Sequence, residues 1–213
     1  MFNNSIKFVV IICFFLSKIV YSSTTGIWTP TGSGGSANAG GVSVTVSSTL
    51  IAATPTAGNL NTGGATNFWT NPYGASVVNA PALTFVLTPF GTAGTVTINF
   101  SQPVNNPVLH FARIGGISGG QSNTSSWTSS SGTPSLLPNA NPQFSLIGST
   151  FQRIPNQTAS GGTCVLGNAQ STACGSVQVN GTGITTLSFP INWAGPGGAG
   201  AADGIDLAVS VPD

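Results

Sequence analysis

Residues 83–100 read LTFVLTPFGTAGTVTINF, and this stretch decides the fold class. A large apolar residue stands at every second position from Leu83 to Leu87, and the same alternation returns from Val96 to Phe100. The segment between the two runs contains Pro and Gly, which form turns and interrupt helices. A period of two is typical of a strand with one buried face, so the stretch predicts two antiparallel strands joined by a turn.

The same period recurs along the rest of the chain, between clusters of Gly, Pro, Asn and Ser. We therefore predict an all-β protein, an antiparallel, jelly-roll-like β sandwich with Val, Ile, Leu and Phe inside and Thr, Ser and Asn outside. Two stretches rich in Gly and Ser, 29–41 and 115–135, are predicted to be loops. The nine predicted strands cover 42–46, 83–88, 96–100, 107–114, 143–147, 149–154, 175–180, 185–191 and 205–211.

The first 22 residues have the pattern of a secretory signal peptide. Lys7 precedes the unbroken apolar run Phe8–Leu16, and Lys18 follows it. This run is too short to cross a membrane, since a spanning helix needs about 20 apolar residues. We predict that residues 1–22 are a signal peptide, that 23–213 form one sandwich domain, and that the mature protein is secreted or at the cell surface without a membrane span.

Charge is scarce along the chain. Charged residues make up 3 % of the sequence, against about 25 % in a typical soluble protein. This composition excludes a nucleic-acid-binding surface, because affinity for phosphates depends on Lys and Arg. Beyond residue 22 two cations and three anions remain, a formal net charge of −1. These five residues are Arg113, Arg153, Asp203, Asp206 and Asp213.

The side chains needed for catalysis are also scarce. Beyond residue 22 the chain has neither Lys nor Glu, and its single histidine is His110. Most acid–base chemistry requires more ionisable groups than these, so we expect no enzyme activity and no cofactor. Because His110 lies within the predicted strand 107–114, we expect it to be a hydrogen-bonded structural residue.

Two cysteines follow the signal segment. Cys164 and Cys174 lie in GGTCVLGNAQSTACGS, a turn-rich stretch. In an oxidising compartment such a pair usually forms a disulfide, which is our prediction here. Two buried free thiols are the alternative.

All three acidic residues lie in the last eleven positions. Asp203 ends a Gly/Ala-rich loop and Asp206 follows in a strand, which makes both calcium candidates. Calcium takes six to eight oxygen ligands, so backbone carbonyls would have to supply most of them. The alternative is a turn-capping Asp203 and an exposed Asp206. Arg113 is a candidate partner for one of the aspartates.

The aromatic residues indicate where a ligand could bind. Trp69 and Tyr73 lie in NFWTNPYG, Trp127 lies in a serine-rich stretch, and Trp193 lies close to a Gly-rich stretch. Loop-borne Trp and Tyr can stack on sugar rings or anchor a protein partner. The alternative is that each of the four caps one end of the sandwich core.

Two further stretches carry a resemblance to a known group of domains. Residues 96–116, VTINFSQPVNNPVLHFARIGG, and 203–211, DGIDLAVSV, resemble bacterial extracellular β-sandwich domains of cell-surface and adhesin-like proteins, a resemblance that covers about 94–213. It implies surface display or adhesion and carries no catalytic residues. The sequence has no second copy of the domain, sorting motif or C-terminal apolar anchor, which argues against permanent attachment to a cell wall.

Two functions remain open at this point. The first is a secreted or surface-associated structural or adhesive protein that associates with itself or with other surfaces, because a nearly uncharged surface lacks the repulsion that keeps proteins apart. The second is a carbohydrate-binding module that uses the loop aromatics.

Overall fold

A computed structural model describes the chain from Ser22 onward, with several gaps. The predicted signal peptide therefore lies outside the described residues, apart from Ser22. Side chains are not described at 22, 116–118 and 121–123. The described ranges are 22–60, 67–74, 76–89, 91–118, 121–154, 164, 172–195 and 202–212.

Sixteen strands and no helix occur in the described ranges, and every strand pair is antiparallel. The all-β prediction is confirmed, whereas the predicted count of nine strands is wrong. The strands are β1 Ser22–Thr24, β2 Thr29–Thr31, β3 Gly34–Ala39, β4 Val42–Ser47, β5 Thr56–Asn59, β6 Pro81–Leu87, β7 Gly94–Val104, β8 Val108–Ile114, β9 Gly116–Ser118, β10 Gln121–Thr128, β11 Thr133–Leu136, β12 Phe144–Ile147, β13 Thr150–Arg153, β14 Ala173–Asn180, β15 Ile184–Ala194 and β16 Asp203–Pro212.

The strands form two sheets that pack face to face as a β sandwich. The seven-stranded sheet has the order β11-β14-β8-β16-β6-β5, with β1 beside β16. The nine-stranded sheet has the order β12-β13-β10-β15-β7-β4-β3-β2, with β9 beside β10. Alternate residues of both sheets point between them and form one continuous apolar core.

Aromatic rings fill one part of this core. Trp127 on β10 lies 5.2 Å from Phe111 of the opposite sheet and 5.7 Å from Phe189 on the neighbouring strand, measured between ring centroids. Phe151 contacts all three rings. Each fully buried ring contributes on the order of 2–3 kcal/mol through the apolar area that it removes from water.

Both stretches that were predicted to be loops contain strands, so these two predictions are wrong. Segment 29–41 holds β2 and β3, and segment 115–135 holds β9, β10 and part of β11. Their small and polar residues hide the period of two, although their backbones pair as in any strand. At Gly34 the small residue is required, because a Cβ there would collide with the backbone of Val46 on β4.

A second, smaller core lies on the outer face of the seven-stranded sheet. There the segments 67–74 and 76–80, which we call the cover, pack with the cysteine pair against residues that point away from the sandwich. Within the described ranges no helix could cross a membrane. The second core consists of Leu60, Phe68, Trp69, Val77, Ala80, Ala82, Ala112, Cys164, Cys174 and Ala208.

Candidate functional site

Two of the four candidate aromatics are buried. Trp127 is fully buried in the core between the sheets, and Trp69 is 2 % exposed beneath the cover. The indole Nε1 of Trp69 donates a hydrogen bond of 2.8 Å to the carbonyl oxygen of Phe111. Neither ring presents a face to solvent, so both Trp69 and Trp127 are core residues and cannot stack on a ligand in this structure.

The other two aromatics, Tyr73 and Trp193, are half-buried but lie far apart. Trp193 donates from Nε1 to the carbonyl oxygen of Thr92 at 3.1 Å, just before β7 begins. Tyr73 donates from its hydroxyl to the carbonyl oxygen of Asn106 at 2.5 Å, just after β7 ends. β7 has 11 residues, which corresponds to about 35 Å of extended strand. The four aromatics therefore do not form one binding platform.

Tyr73 lines a groove of about 580 Å³ at one end of the sandwich. Four parts of the chain meet there: the cover, the turn between β3 and β4, the end of β7 with the residues that follow it, and the end of β16. We call this feature the Tyr73 groove. Its lining contains no charged residue among those described. The lining residues are Gly40, Val42, Tyr73, Gln102, Pro103, Val104, Asn105, Asn106 and Pro212.

Two asparagines shape the floor of the groove. The side-chain oxygen of Asn105 accepts a hydrogen bond from the backbone N–H of Gly183, and that of Asn106 accepts one from Gly181, both at 2.9 Å. Because a backbone N–H can only donate, these contacts settle which side-chain atom of each amide is oxygen. Each Nδ2 group is left as a donor without a hydrogen-bond partner in the described part of the chain.

The hydroxyl of Tyr73 keeps its proton at neutral pH. Burial raises the pKa of Tyr73, and the hydrogen bond from Gln178 opposes this shift. The hydroxyl therefore remains a donor to Asn106, which holds the ring in one position along the groove.

Asp203, one of the two calcium candidates, is buried and fully engaged. Its carboxylate accepts hydrogen bonds from the backbone N–H of Gly115 at 2.8 Å, from that of Ser125 at 2.9 Å, and from the Ser125 hydroxyl. Burial raises the pKa of Asp203 to about 6, although these hydrogen bonds and the nearby Arg153 guanidinium oppose the shift. Ser125 pairs with Trp193 of β15 on one side, and its backbone N–H is bound by the Asp203 carboxylate and not by a neighbouring strand.

Asp206, the other calcium candidate, forms an ion pair instead of being exposed. Arg113 donates to both of its carboxylate oxygens at 2.6 and 2.5 Å, and the Thr84 hydroxyl donates to one of them at 2.6 Å. Within the described residues no group of three or more His, Cys, Asp or Glu could hold a metal ion. Arg113 thus has the aspartate partner that the sequence suggested, and the carboxylates of both Asp203 and Asp206 are bound by donors of the protein itself.

His110 is a buried, hydrogen-bonded residue of β8, as predicted. Its Nδ1 lies 2.8 Å from the Ser176 hydroxyl, and its Nε2 lies 2.8 Å from the Ser210 hydroxyl. The Ser176 hydroxyl also accepts a hydrogen bond of 3.1 Å from the backbone N–H of Thr70, so Ser176 links His110 to the cover. Burial lowers the pKa of His110 to about 3, and the ring is neutral.

The two cysteines form the predicted disulfide. Cys164 and Cys174 are bonded, with their Cα atoms 5.9 Å apart. Both are buried in the second core. The bond therefore attaches the chain around Cys164 to β14, on the same face that the cover protects.

Comparisons with known proteins identify no relative. No family model matches the chain, and no curated protein or solved structure matches it significantly. The resemblance to extracellular domains of adhesin-like proteins therefore stays a prediction.

The polar residues of the Tyr73 groove were not singled out from the sequence. Gln102, Asn105 and Asn106 come from the SQPVNNP segment between two predicted strands. The available signal was Asn-Asn before Pro, which is typical of a turn with a left-handed residue, and Asn106 has a φ of 48°. Nothing in the sequence indicated that Tyr73 would reach this turn.

Proposed function

We propose that this chain is a secreted, surface-associated structural or adhesive protein without a catalytic role. The observation that supports it is the outer face of the nine-stranded sheet, which we call the hydroxyl face. Its residues are uncharged and nearly all carry a hydroxyl or an amide. Two rows run side by side across β3, β4, β7 and β15, namely Ser36, Thr45, Asn99 and Thr186, and Gly34, Ser47, Thr97 and Ser188.

The charges of the described residues lie away from this face. Arg153 and Asp203 are buried, and Arg113 pairs with Asp206 on the other sheet. A face without charge produces no long-range repulsion, and its hydroxyls and amides can exchange water for hydrogen bonds with a second surface. This favours close contact with uncharged material or with another copy of the chain.

The edges of the sandwich give further support for self-association. Four strands stand at the ends of the two sheet orders, and two of them, β2 and β11, contain a proline, which hinders strand addition. The other two, β5 and β12, contain none. On β12 the side chain of Ile147 is 72 % exposed. These two edges can pair with a strand of another copy.

The test measures association of the secreted protein with itself and with uncharged surfaces. We expect light scattering to detect oligomers at concentrations on the order of tens of micromolar, and a neutral polymer-coated sensor to retain the protein. Thr45→Lys places a charge at the centre of the hydroxyl face and should reduce retention several-fold. Thr133→Lys is the matched control, since Thr133 is exposed on β11 of the other sheet.

Two results would count against the proposal. One is a stable monomer that the sensor does not retain. The other is equal retention of the two lysine variants, because it would mean that the hydroxyl face has no part in adhesion.

A carbohydrate-binding module is the second candidate function. The observation that favours it is the Tyr73 groove, since Tyr73 is the one proposed ligand-binding aromatic that lines a groove described here.

A further inference from the structure

We propose that the Tyr73 groove binds a neutral saccharide. Tyr73 would stack on a sugar ring, and the side chains of Gln102, Asn105 and Asn106 would bind its hydroxyls. The proposal rests on the second candidate function, and it adds the residues of the site and the class of ligand.

The position of Tyr73 suits stacking. Its ring lines the groove and is half-buried, while its hydroxyl is bound to the Asn106 carbonyl oxygen. A ring that is already fixed loses little conformational entropy when a ligand binds. Pro103 and Pro212 line the same groove and add rigid apolar surface. The C–H face of a pyranose ring matches such a surface.

The amides of the groove suit hydroxyl groups. The oxygens of Asn105 and Asn106 are held by Gly183 and Gly181, so their Nδ2 groups are oriented donors. Gln102 is exposed and has no hydrogen-bond partner in the described residues, so it offers both a donor and an acceptor. Sugar hydroxyls both donate and accept, and they can satisfy all three side chains.

The charge distribution argues against an anionic ligand. The described lining has no cation to pair with a carboxylate, phosphate or sulfate. The two arginines beyond the signal segment are committed elsewhere, because Arg113 binds Asp206 and Arg153 lies beside Asp203. Burying an unpaired anionic group in this groove would be costly. A volume of about 580 Å³ is within the usual range for small-molecule sites and accommodates a short oligosaccharide.

The experiment is a titration of the secreted protein, followed by ligand-observed NMR. The probes are tetrasaccharides of glucose, mannose, galactose and N-acetylglucosamine, with tetragalacturonate as the acidic probe. We expect at least one neutral probe to bind with a Kd on the order of 0.1–1 mM, and the acidic probe to bind at least tenfold more weakly.

Three variants test the site. Tyr73→Ala should weaken binding about tenfold or more, whereas Tyr73→Phe keeps the ring and should stay within about threefold of the parent. Gln102→Ala should weaken binding about threefold, and it cannot be dismissed as misfolded because Gln102 is exposed and makes no internal hydrogen bond among the described residues. Trp193→Ala is the matched aromatic control and should bind as the parent does. Thermal unfolding followed by circular dichroism confirms that each variant is folded.

Three outcomes would overturn the proposal: binding of none of the neutral probes, equal binding of the acidic probe, or binding that survives both Tyr73→Ala and Gln102→Ala. These outcomes are separable from failure of the adhesive function, since that function is measured by the effect of Thr45→Lys on retention by the polymer-coated sensor. Thr45 lies on the hydroxyl face and is not among the residues that line the groove.

Discussion

The outer faces of the two sheets differ although both sheets are built from strands of period two. The face of the nine-stranded sheet is open and carries Ser, Thr and Asn. The face of the seven-stranded sheet lies under the cover and the disulfide, and its central strands have small outward residues. These small residues, which let a second layer approach the backbone, are Ala112 on β8, Cys174 and Ser176 on β14, and Ala208 and Ser210 on β16. The apolar outward side chains of Ala112, Cys174 and Ala208 therefore distinguish the covered face from the open one.

The largest expected effect on stability comes from comparing a tryptophan of the main core with a tryptophan under the cover. Trp127→Ala leaves a cavity among Phe111, Phe151 and Phe189, and it should lower the free energy of unfolding by about 3–5 kcal/mol. Trp69→Ala removes a ring that is packed only under the cover, so it should open the cover while the sandwich stays folded. Hydrogen exchange and chemical denaturation measure the two effects. If Trp69→Ala unfolds the whole protein as readily as Trp127→Ala, the two layers are a single cooperative unit.

Asp203 and His110 are buried ionisable groups in different parts of the sandwich, and they should change its stability with pH in opposite directions. The pKa of Asp203 rises from 3.8 to about 6 on folding, so the native state binds more protons and stability falls as pH rises from about 4 to 6. Asp203→Asn should abolish this loss of up to about 3 kcal/mol. The pKa of His110, on the covered face, falls from 6.5 to about 3, so its contribution is lost as pH falls through that window.

The slope of stability against pH is therefore the quantity to measure. In Asp203→Asn only the His110 effect remains of these two, and denaturant midpoints should rise from pH 4 to pH 6.5. In His110→Gln only the Asp203 effect remains, and the midpoints should fall over pH 4–6. If stability changed with pH in the same direction in both variants, the opposite trends could not be attributed to Asp203 and His110.

The disulfide should stabilise mainly the covered face of the seven-stranded sheet. Replacing Cys164 and Cys174 together by Ser should cost about 2–3 kcal/mol, since the bond closes a short loop of the unfolded chain. The loss should appear first as faster hydrogen exchange around Trp69, because the bond packs in the same small core. Unchanged protection there would show that contacts such as those of Trp69 with Phe111 and of Thr70 with Ser176 hold the cover without the disulfide.

The smallest expected effects come from exchanging threonine and alanine, which differ by a hydroxyl and a methyl group, on the two faces. Thr45→Ala on the hydroxyl face should change the free energy of unfolding by about 0.5 kcal/mol or less. Ala208→Thr adds atoms beneath the cover, where Ala208 is fully buried, and should destabilise by about 1–3 kcal/mol. Equilibrium denaturation measures both. Equal losses in the free energy of unfolding would mean that the cover moves aside to accommodate the added atoms.

The sequence predicted the sandwich because its core strands carry large residues at every second position, as at Leu83 and Phe85. It did not reveal β3 or β10, because β3 is built from Gly, Ala, Ser and Asn and β10 is polar apart from Trp127, so neither shows large apolar residues with a period of two. The disulfide was predicted from two cysteines in a chain that we expect to be exported. The burial of Trp69 did not follow, since local polarity made NFWTNPYG a loop, and only the tertiary structure places that loop on β8. The contact between Tyr73 and Asn106 was not predicted either, because it too depends on the tertiary structure.

The position of β16 has a consequence for the order of folding. This strand comes after all the others in the chain, yet it lies between β8 and β6 and also pairs with β1. The seven-stranded sheet therefore cannot close until Asp203–Pro212 is available, and loops spanning most of the chain must form with it. Such non-local pairing typically gives folding times of milliseconds to seconds. Until these residues pair, β6 and β8 lack the strand that joins them, and the chain stays incompletely folded.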